Sequence, residues 1–240
     1  MTEAGEVPWS DPVSLEYHDK QWATSKASTL DFIKQIANYV QPSAKILDVG
    51  CGGGAATYEI SQNFPSANFH GMDLDPHLIE KANSISSQLH APNVTFGVGD
   101  VYNLKTLDYD GVISLQTLSW LPDYEHPMKE IFHKIRPKWV GLTSLFFQGD
   151  ITAITTIHEH VRSRSVNYNT YSLPRFSAFC ESSGYKVSLA RPFIFPFDIG
   201  KPLDLNFMGT YTLTTLEQSQ RIQVSGPLLM NWMTLVLQKI

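Results

Sequence analysis

The sequence predicts an α/β protein built on a mostly parallel, doubly wound sheet, and three observations carry that prediction. Strand-length apolar runs alternate with helix-length segments. A helix between two strands returns the chain for parallel pairing by a right-handed crossover. The first core strand, Lys45-Ile46-Leu47-Asp48-Val49, then runs directly into a turn with glycines at positions 50, 52 and 54. Glycine at such spacing lets the backbone turn sharply and lets a ligand approach where a Cβ would clash. Finally, three successive strand-like runs end in aspartate, at Asp48, Asp73 and Asp100. On one sheet edge these make an acidic cleft.

In chain order, residues 1–13 read as an irregular arm because of Gly5, Pro8 and Pro12. A short aromatic segment, Leu15 to Trp22, follows. Residues 1–27 are expected to form either a helix docked through Leu15, Tyr17 and Trp22 or a lid over a ligand, since exposed aromatics ahead of a core call for something to cover. Ser28-Thr29 opens a helix carrying Ile33, Ile36, Ala37 and Val40 at helical spacing, and Pro42 stops it. After the glycine turn a helix runs to about Phe64, ended by Pro65. Asn68 to Asp73 is a strand, and Pro76 opens a helix through Leu89. Val94 to Asp100 and Tyr109 to Leu115 are strands. His126 to Ile135 is a helix, and Trp139 to Phe147 a strand.

Beyond Phe147 the pattern loosens. Residues 148–171 show weak periodicity. Ser172-Leu173-Pro174 starts a helix closed by Gly184, Tyr185 to Phe195 is a strand, residues 196–226 are rich in turn-formers, and Leu228 to Ile240 is the last strand. The expected organisation is one domain over residues 1–240, with 148–171 and 196–226 as insertions. Both insertions start at carboxyl ends of strands, the side on which open α/β sheets bind ligands, so they are expected to wall a substrate pocket.

A hydrophobic fraction of 42% with 17% charged residues is enough apolar material for an ordinary buried core. The net charge of −5 and the lack of a lysine/arginine cluster argue against a nucleic-acid partner. No stretch approaches a membrane span or a signal peptide, and the two cysteines, Cys51 and Cys180, form no metal or redox motif. A cytoplasmic protein with no metal and no membrane partner is the expectation; its oligomeric state is left open.

The glycine turn also fits the loose G-x-G-x-x-A pattern of dinucleotide folds, here Gly50, Gly52 and Ala55. Asp48 beside the turn would be a poor neighbour for a pyrophosphate, and the turn holds no basic residue to offset it. Asp48-Val49-Gly50-Cys51-Gly52-Gly53-Gly54, Met72-Asp73-Leu74-Asp75 and Gly99-Asp100-Val101 instead resemble, in order, the three motifs of the class I S-adenosylmethionine-dependent methyltransferases. The resemblance covers roughly residues 30–146. It implies a Rossmann-like, doubly wound, seven-stranded sheet whose last strand is antiparallel and inserted between strands five and six. S-adenosylmethionine is the implied cofactor and S-adenosylhomocysteine its product.

The resemblance also implies roles. Asp48 and the turn residues Gly50, Cys51, Gly52 and Gly54 would hold the amino-acid end of the cofactor. Asp73 would accept the ribose hydroxyls, Leu74 would pack on the adenine, and Asp100 and Val101 would meet its amino and ring nitrogens. Gln116 and Trp120 would line the channel near the methionine part. Asp75 reads as the N-cap of the following helix.

Methyl transfer from a sulfonium is an in-line displacement that alignment can accelerate, and an oxygen acceptor usually calls for a general base. His18, His158 and His160 are the candidate bases, set against a reading of each as an ordinary solvated residue. His158-Glu159-His160 offers no third metal ligand. Tyr17, Trp22, Tyr168 and Tyr171 are candidate substrate contacts, among aromatic walls that suit a small organic molecule. The Asn/Asp-Pro-Pro-Tyr motif and a Pro-Cys nucleophile are absent, which disfavours amide, adenine and pyrimidine-C5 acceptors. Tyr171 to Phe176 and Ser225 to Trp232 resemble bacterial methyltransferases of cell-surface sugar biosynthesis. The expected function is O- or N-methylation of a small molecule, with a sugar-type metabolite included. The competing reading is a sensor or partner protein that binds the cofactor without transferring its methyl group.

Overall fold

A computed structural model of the chain describes residues 12–203, 210–215, 221–224 and 232–240. The first helix, α1 (Pro12–Ala23), precedes α2 (Ala27–Ile36), which buries Phe32, Ile33 and Ile36. Burying each of these side chains contributes about 1.5–3 kcal/mol. The chain then alternates through β1 (Lys45–Val49), α3 (Ala55–Asn63), β2 (Asn68–Asp73), α4 (Pro76–Gln88), β3 (Val94–Val98), β4 (Gly111–Leu115), α5 (Glu125–Glu130) and β5 (Trp139–Ser144). α5 continues into a π-helical turn over Ile131–Ile135 that ends at Arg136 in the left-handed region. β6 (Phe146–Phe147), β7 (Thr156–Glu159), β8 (Arg164–Asn167) and β9 (Tyr171–Ser172) follow. Then come α6 (Leu173–Ser182), β10 (Tyr185–Pro192), β11 (Tyr211–Thr214), β12 (Arg221–Val224) and β13 (Met233–Lys239).

Seven strands form one sheet in the order β10-β13-β5-β4-β1-β2-β3. β13 runs antiparallel to both its neighbours, β5 and β10, and the β3-to-β5 portion is parallel. The doubly wound sheet with an inserted antiparallel last strand is therefore as expected. Burial on both faces explains why the strands read as continuous apolar runs. Ile46, Phe69, Ile113 and Val236 pack on the side of α2, α3 and α4. Leu47, Val112, Val140 and Leu235 face the other core, with Phe132, Phe176 and Cys180.

Several boundaries differ from expectation. The fifth strand stops at Ser144, and Phe146–Phe147 leaves the sheet to pair with Tyr171–Ser172. Residues 148–171 are not a loose loop. β7 and β8 form an antiparallel hairpin in it, matching Thr156 to Asn167 and Glu159 to Arg164. The strand alternation there is masked in the sequence because the half-buried face of β7 carries Glu159 as well as Ile157. In the second insertion β11 and β12 form another hairpin. Residues 225–231, part of the expected last strand and of the sugar-biosynthesis resemblance, lie outside the described residues, as do residues 1–11 of the arm.

Candidate active site

The site is set by strand periodicity. Alternate residues of a strand share a face, so Asp48 follows Ile46 onto the α3 side of β1, and Asp73 follows Phe69 onto the same side of β2. Gly71, between them, lets the Phe96 ring and Cys51 pack against the strand. A Cβ there would lie 2.5 Å from the Phe96 ring and 3.0 Å from Cys51 Sγ. β1 has β4 on one flank and β2 on the other, and its carboxyl end is where the glycine turn begins.

The turn is held tightly. Gly50, Gly52 and Gly54 have φ of 74°, 55° and 81°, a region that side chains resist. Gly50 and Cys51 donate their amides to the Met72 carbonyl at 2.8 and 3.0 Å. From beyond β4, Thr117 Oγ1 donates to the Gly50 carbonyl at 3.2 Å, and a Cβ on Gly50 would collide with Thr117 at 2.5 Å. Gln116, at the tip of β4, takes φ 61° and donates its amide to the Thr143 carbonyl. A non-glycine residue held there stores strain that its neighbours must support.

Asp48 is only 2% exposed. Its Oδ2 accepts from Thr57 Oγ1 at 2.6 Å, while Oδ1 is buried without a partner. Burial, with the Asp73 charge adding to it against the Thr57 hydrogen bond, pushes the Asp48 pKa up to about 7. Asp73 Oδ2 accepts from the Gly52 amide at 2.8 Å and Oδ1 from the Asp75 amide at 3.0 Å. Burial raises its pKa too, against those backbone hydrogen bonds. Asp75 caps α4 by accepting from the His77 and Leu78 amides. Asp100 accepts from the Tyr102 amide at 2.9 Å in a tight turn after β3. Leu74 is 47% exposed, and Val101 packs partly on the core.

These groups fit S-adenosylmethionine. The unpartnered Asp48 oxygen calls for a donor or cation, and a carboxylate at the tip of β2 offers two acceptor oxygens for a diol. No basic side chain stands in the glycine turn to meet a phosphate.

The N-terminal helix closes over the turn. Trp22 Nε1 donates to the Gly53 carbonyl at 2.9 Å, and the Gly53 amide donates to His18 Nδ1 at 3.3 Å. His18 and Trp22, four residues apart, share a helix face, so α1 grips both polar groups of Gly53. Trp22 also packs on Tyr58 of α3, and Asp19 pairs with Lys81 of α4. Tyr17 stays 49% exposed, its hydroxyl accepting from Lys26 at 2.9 Å.

The structure corrects other expectations. His18 was expected as a general base. Its Nδ1 lone pair is occupied by Gly53, and burial with the nearby Lys26 ammonium lowers its pKa to about 4. His158 bonds Ser165 through Nδ1 at 2.7 Å on the exposed β7–β8 hairpin, and His160 is exposed at its turn. The three candidate bases are not brought together.

Tyr171, expected as a substrate contact, is 1% exposed. Its ring packs on Tyr124 and Phe146, and its hydroxyl donates to the Leu118 or Leu121 carbonyl, which makes it a core residue. Tyr168 is buried as well, in a small cluster with Trp120, Leu145 and Trp232. Its ring meets Trp120 edge-on at 4.7 Å. Buried Asn169 pins this insertion beside β4, donating to the Leu121 carbonyl and accepting from the Thr155 amide.

Thr57, Thr117 and Asn169 were missed in the sequence. Each acts through tertiary hydrogen bonds that no local pattern encodes.

A methyltransferase-domain family model matches residues 41–184. The chain belongs to the class I S-adenosylmethionine-dependent methyltransferase family. Among curated relatives, trans-aconitate 2-methyltransferase of Deinococcus radiodurans is 34% identical over 40% of this chain and 36% of its own length. Malonyl-[acyl-carrier protein] O-methyltransferase of Bacillus anthracis is 29% identical over 68% of this chain and 61% of its own. The match thus spans less than two thirds of either relative. The solved structure of Burkholderia thailandensis 1,6-didemethyltoxoflavin-N1-methyltransferase shares the fold at a TM-score of 0.60. It is 13% identical, over 95% of this chain and 85% of that one.

Proposed function

We propose that the protein is an S-adenosylmethionine-dependent methyltransferase acting on an oxygen or nitrogen of a small organic molecule, with a carboxylate oxygen as the favoured acceptor. The observation that carries the cofactor assignment is the buried Asp48 with one unpartnered oxygen beside a glycine turn, on the same face as Asp73. When bound, the cofactor supplies a methyl group already activated on a sulfonium.

The chain's own contribution is placement. Asp48 and the glycine turn hold the amino-acid end, Asp73 accepts from the ribose, Leu74 and Val101 flank the adenine, and Asp100 accepts from its amino group. Gln116 borders the methionine end, and α1 excludes water by lying on Gly53.

The carboxylate reading follows from the histidines. His18 has its Nδ1 lone pair engaged, while His158 and His160 sit exposed on a hairpin. An ionised carboxylate already carries the nucleophilic lone pair and needs no base. The two curated relatives above are named for trans-aconitate and for malonyl-[acyl-carrier protein], which supports an acidic acceptor. Partly buried Trp120 supplies an aromatic wall. Net charge of −5 favours a small metabolite over nucleic acid, and no described helix is long and apolar enough to cross a membrane. We assign the protein to the cytoplasm on its reduced-thiol composition, both Cys51 and Cys180 being free.

The test begins with calorimetry of S-adenosylmethionine and S-adenosylhomocysteine, with NAD as control. Methyl transfer is then followed by mass spectrometry over panels of di- and tricarboxylic acids, amines and sugars. Binding of both cofactor forms and methyl-ester formation are expected. Binding without transfer to any panel member would favour the sensor reading. Absence of binding would overturn the cofactor assignment.

A further inference from the structure

We propose that His18 is a cofactor-anchoring residue that donates from Nε2–H to the carboxylate of the amino-acid end of S-adenosylmethionine; this rests on the cofactor reading above. Three observations converge on it.

The first fixes the tautomer. The Gly53 amide is a donor, so the ring nitrogen facing it, Nδ1, must present a lone pair. The ring is neutral at neutral pH, because burial and the Lys26 ammonium hold its pKa near 4 against the opposing Asp75 and Asp19 carboxylates, with Lys81 adding to the lowering. A neutral imidazole with a bare Nδ1 carries its proton on Nε2.

The second concerns position. His18 lies against the open faces of the turn. A Cβ on Gly52 would come 2.8 Å from His18 Cε1, and one on Gly53 would come 3.1 Å from His18 Cβ. The amide of Gly52 donates to Asp73, so the same glycine is flanked by a carboxylate on one side and the imidazole on the other.

The third concerns partners. His18 Nε2 has none among the described residues, although the ring is largely buried. The other ring nitrogen that α1 brings to the turn, Trp22 Nε1, is taken by the Gly53 carbonyl. The turn's surroundings are otherwise acidic, with Asp48, Asp73 and Asp75. A zwitterionic amino acid entering them finds acceptors for its ammonium at once. Its carboxylate needs a donor, and Nε2–H is one fixed in direction by the bond that Nδ1 makes.

The ligand feature is the carboxylate, so the test removes it. Calorimetry compares S-adenosylmethionine with decarboxylated S-adenosylmethionine on wild type, His18→Ala and His18→Gln. Loss of a hydrogen bond to a charged group corresponds to about ten- to a hundredfold in affinity. His18→Ala should weaken S-adenosylmethionine by that factor and leave the decarboxylated compound within about threefold. His18→Gln, whose amide N–H reaches near the place of Nε2, should restore part of the preference. Nitrogen NMR of the free wild-type protein should show His18 as the Nε2–H tautomer. Equal losses for both compounds would overturn the proposal, since a role confined to docking α1 ignores the carboxylate. The Nδ1–H tautomer would overturn it as well. Failure of wild type to bind either compound would sink it together with the cofactor reading, a result distinguishable from the other two.

Discussion

Thr57 and Asp48 are nine positions apart and joined at 2.6 Å, the hydroxyl on the first turn of α3 donating to a carboxylate on β1. The bond crosses from helix to sheet at the point where the glycine turn leaves the strand. It is the one hydrogen bond opposing the desolvation of a fully buried acid. Thr57→Val should therefore weaken cofactor binding, by about 1–3 kcal/mol, because a buried charge-assisted bond is lost. Thr57→Ser, which keeps the hydroxyl, should retain most of the affinity. Calorimetry on the two variants checks this; equal affinity in Thr57→Val and wild type would refute it.

The raised pKa of Asp48 carries a pH signature. An acid whose folded pKa lies near 7 binds more protons in the folded than in the unfolded chain between about pH 4 and 7. Its contribution to stability is therefore present below pH 4 and lost as pH rises through 7. His18 acts oppositely. With a folded pKa near 4 it favours the folded state above about pH 6.5 and loses that contribution as pH falls through 4. Thermal denaturation of Asp48→Asn should gain stability relative to wild type as pH rises from 4 to 7. Parallel melting curves across that range would contradict the assignment. By the same linkage, affinity for the cationic cofactor should rise with pH through 7 in wild type and not in Asp48→Asn.

Asp73 accepts from Gly52 and Asp75 before any ligand arrives, and the proposed ribose contact would be a second duty. Asp73→Ala should lower cofactor affinity by about 1–3 kcal/mol. It should also speed amide hydrogen exchange at Gly52, which loses its acceptor. Unchanged affinity would remove the ribose assignment, and unchanged exchange would remove the structural one.

Tyr171 separates core from pocket. Tyr171→Phe leaves the Leu118 and Leu121 carbonyls without this donor. It should cost about 1–3 kcal/mol of stability with cofactor affinity unchanged. A normal melting temperature with a raised substrate KM would return Tyr171 to the substrate wall.

What the sequence revealed divides along a physical line. The order of strands and helices, the glycine turn, the acids Asp48 and Asp73 on their strands and the Asp75 cap are local patterns, and each lies where its periodicity or turn chemistry put it. The β7–β8 hairpin escaped because β7 alternates only between exposed and half-buried positions and β8 is half-buried throughout except at Val166, so polarity carries no period. Tyr168 and Tyr171 were misread for a related reason. A tyrosine in a polar segment looks like a pocket wall until the fold supplies carbonyls and ring partners from β4's loop, α5 and α6. The seat of His18 on the glycine turn was not legible, because it depends on the Gly53 amide 35 positions away.

The strand order has a consequence for how the chain is made. β13 lies between β5 and β10, pairing with both. While a ribosome is still extending the chain, β5 and β10 are complete but bear bare hydrogen-bonding edges, with Val140, Leu142 and Leu189 already in place beside them. Such edges invite pairing with another nascent chain. Pairing of residues 233–239 closes the β5 edge and the facing edge of β10 in one step, so the emerging polypeptide is most in need of a chaperone just before that moment.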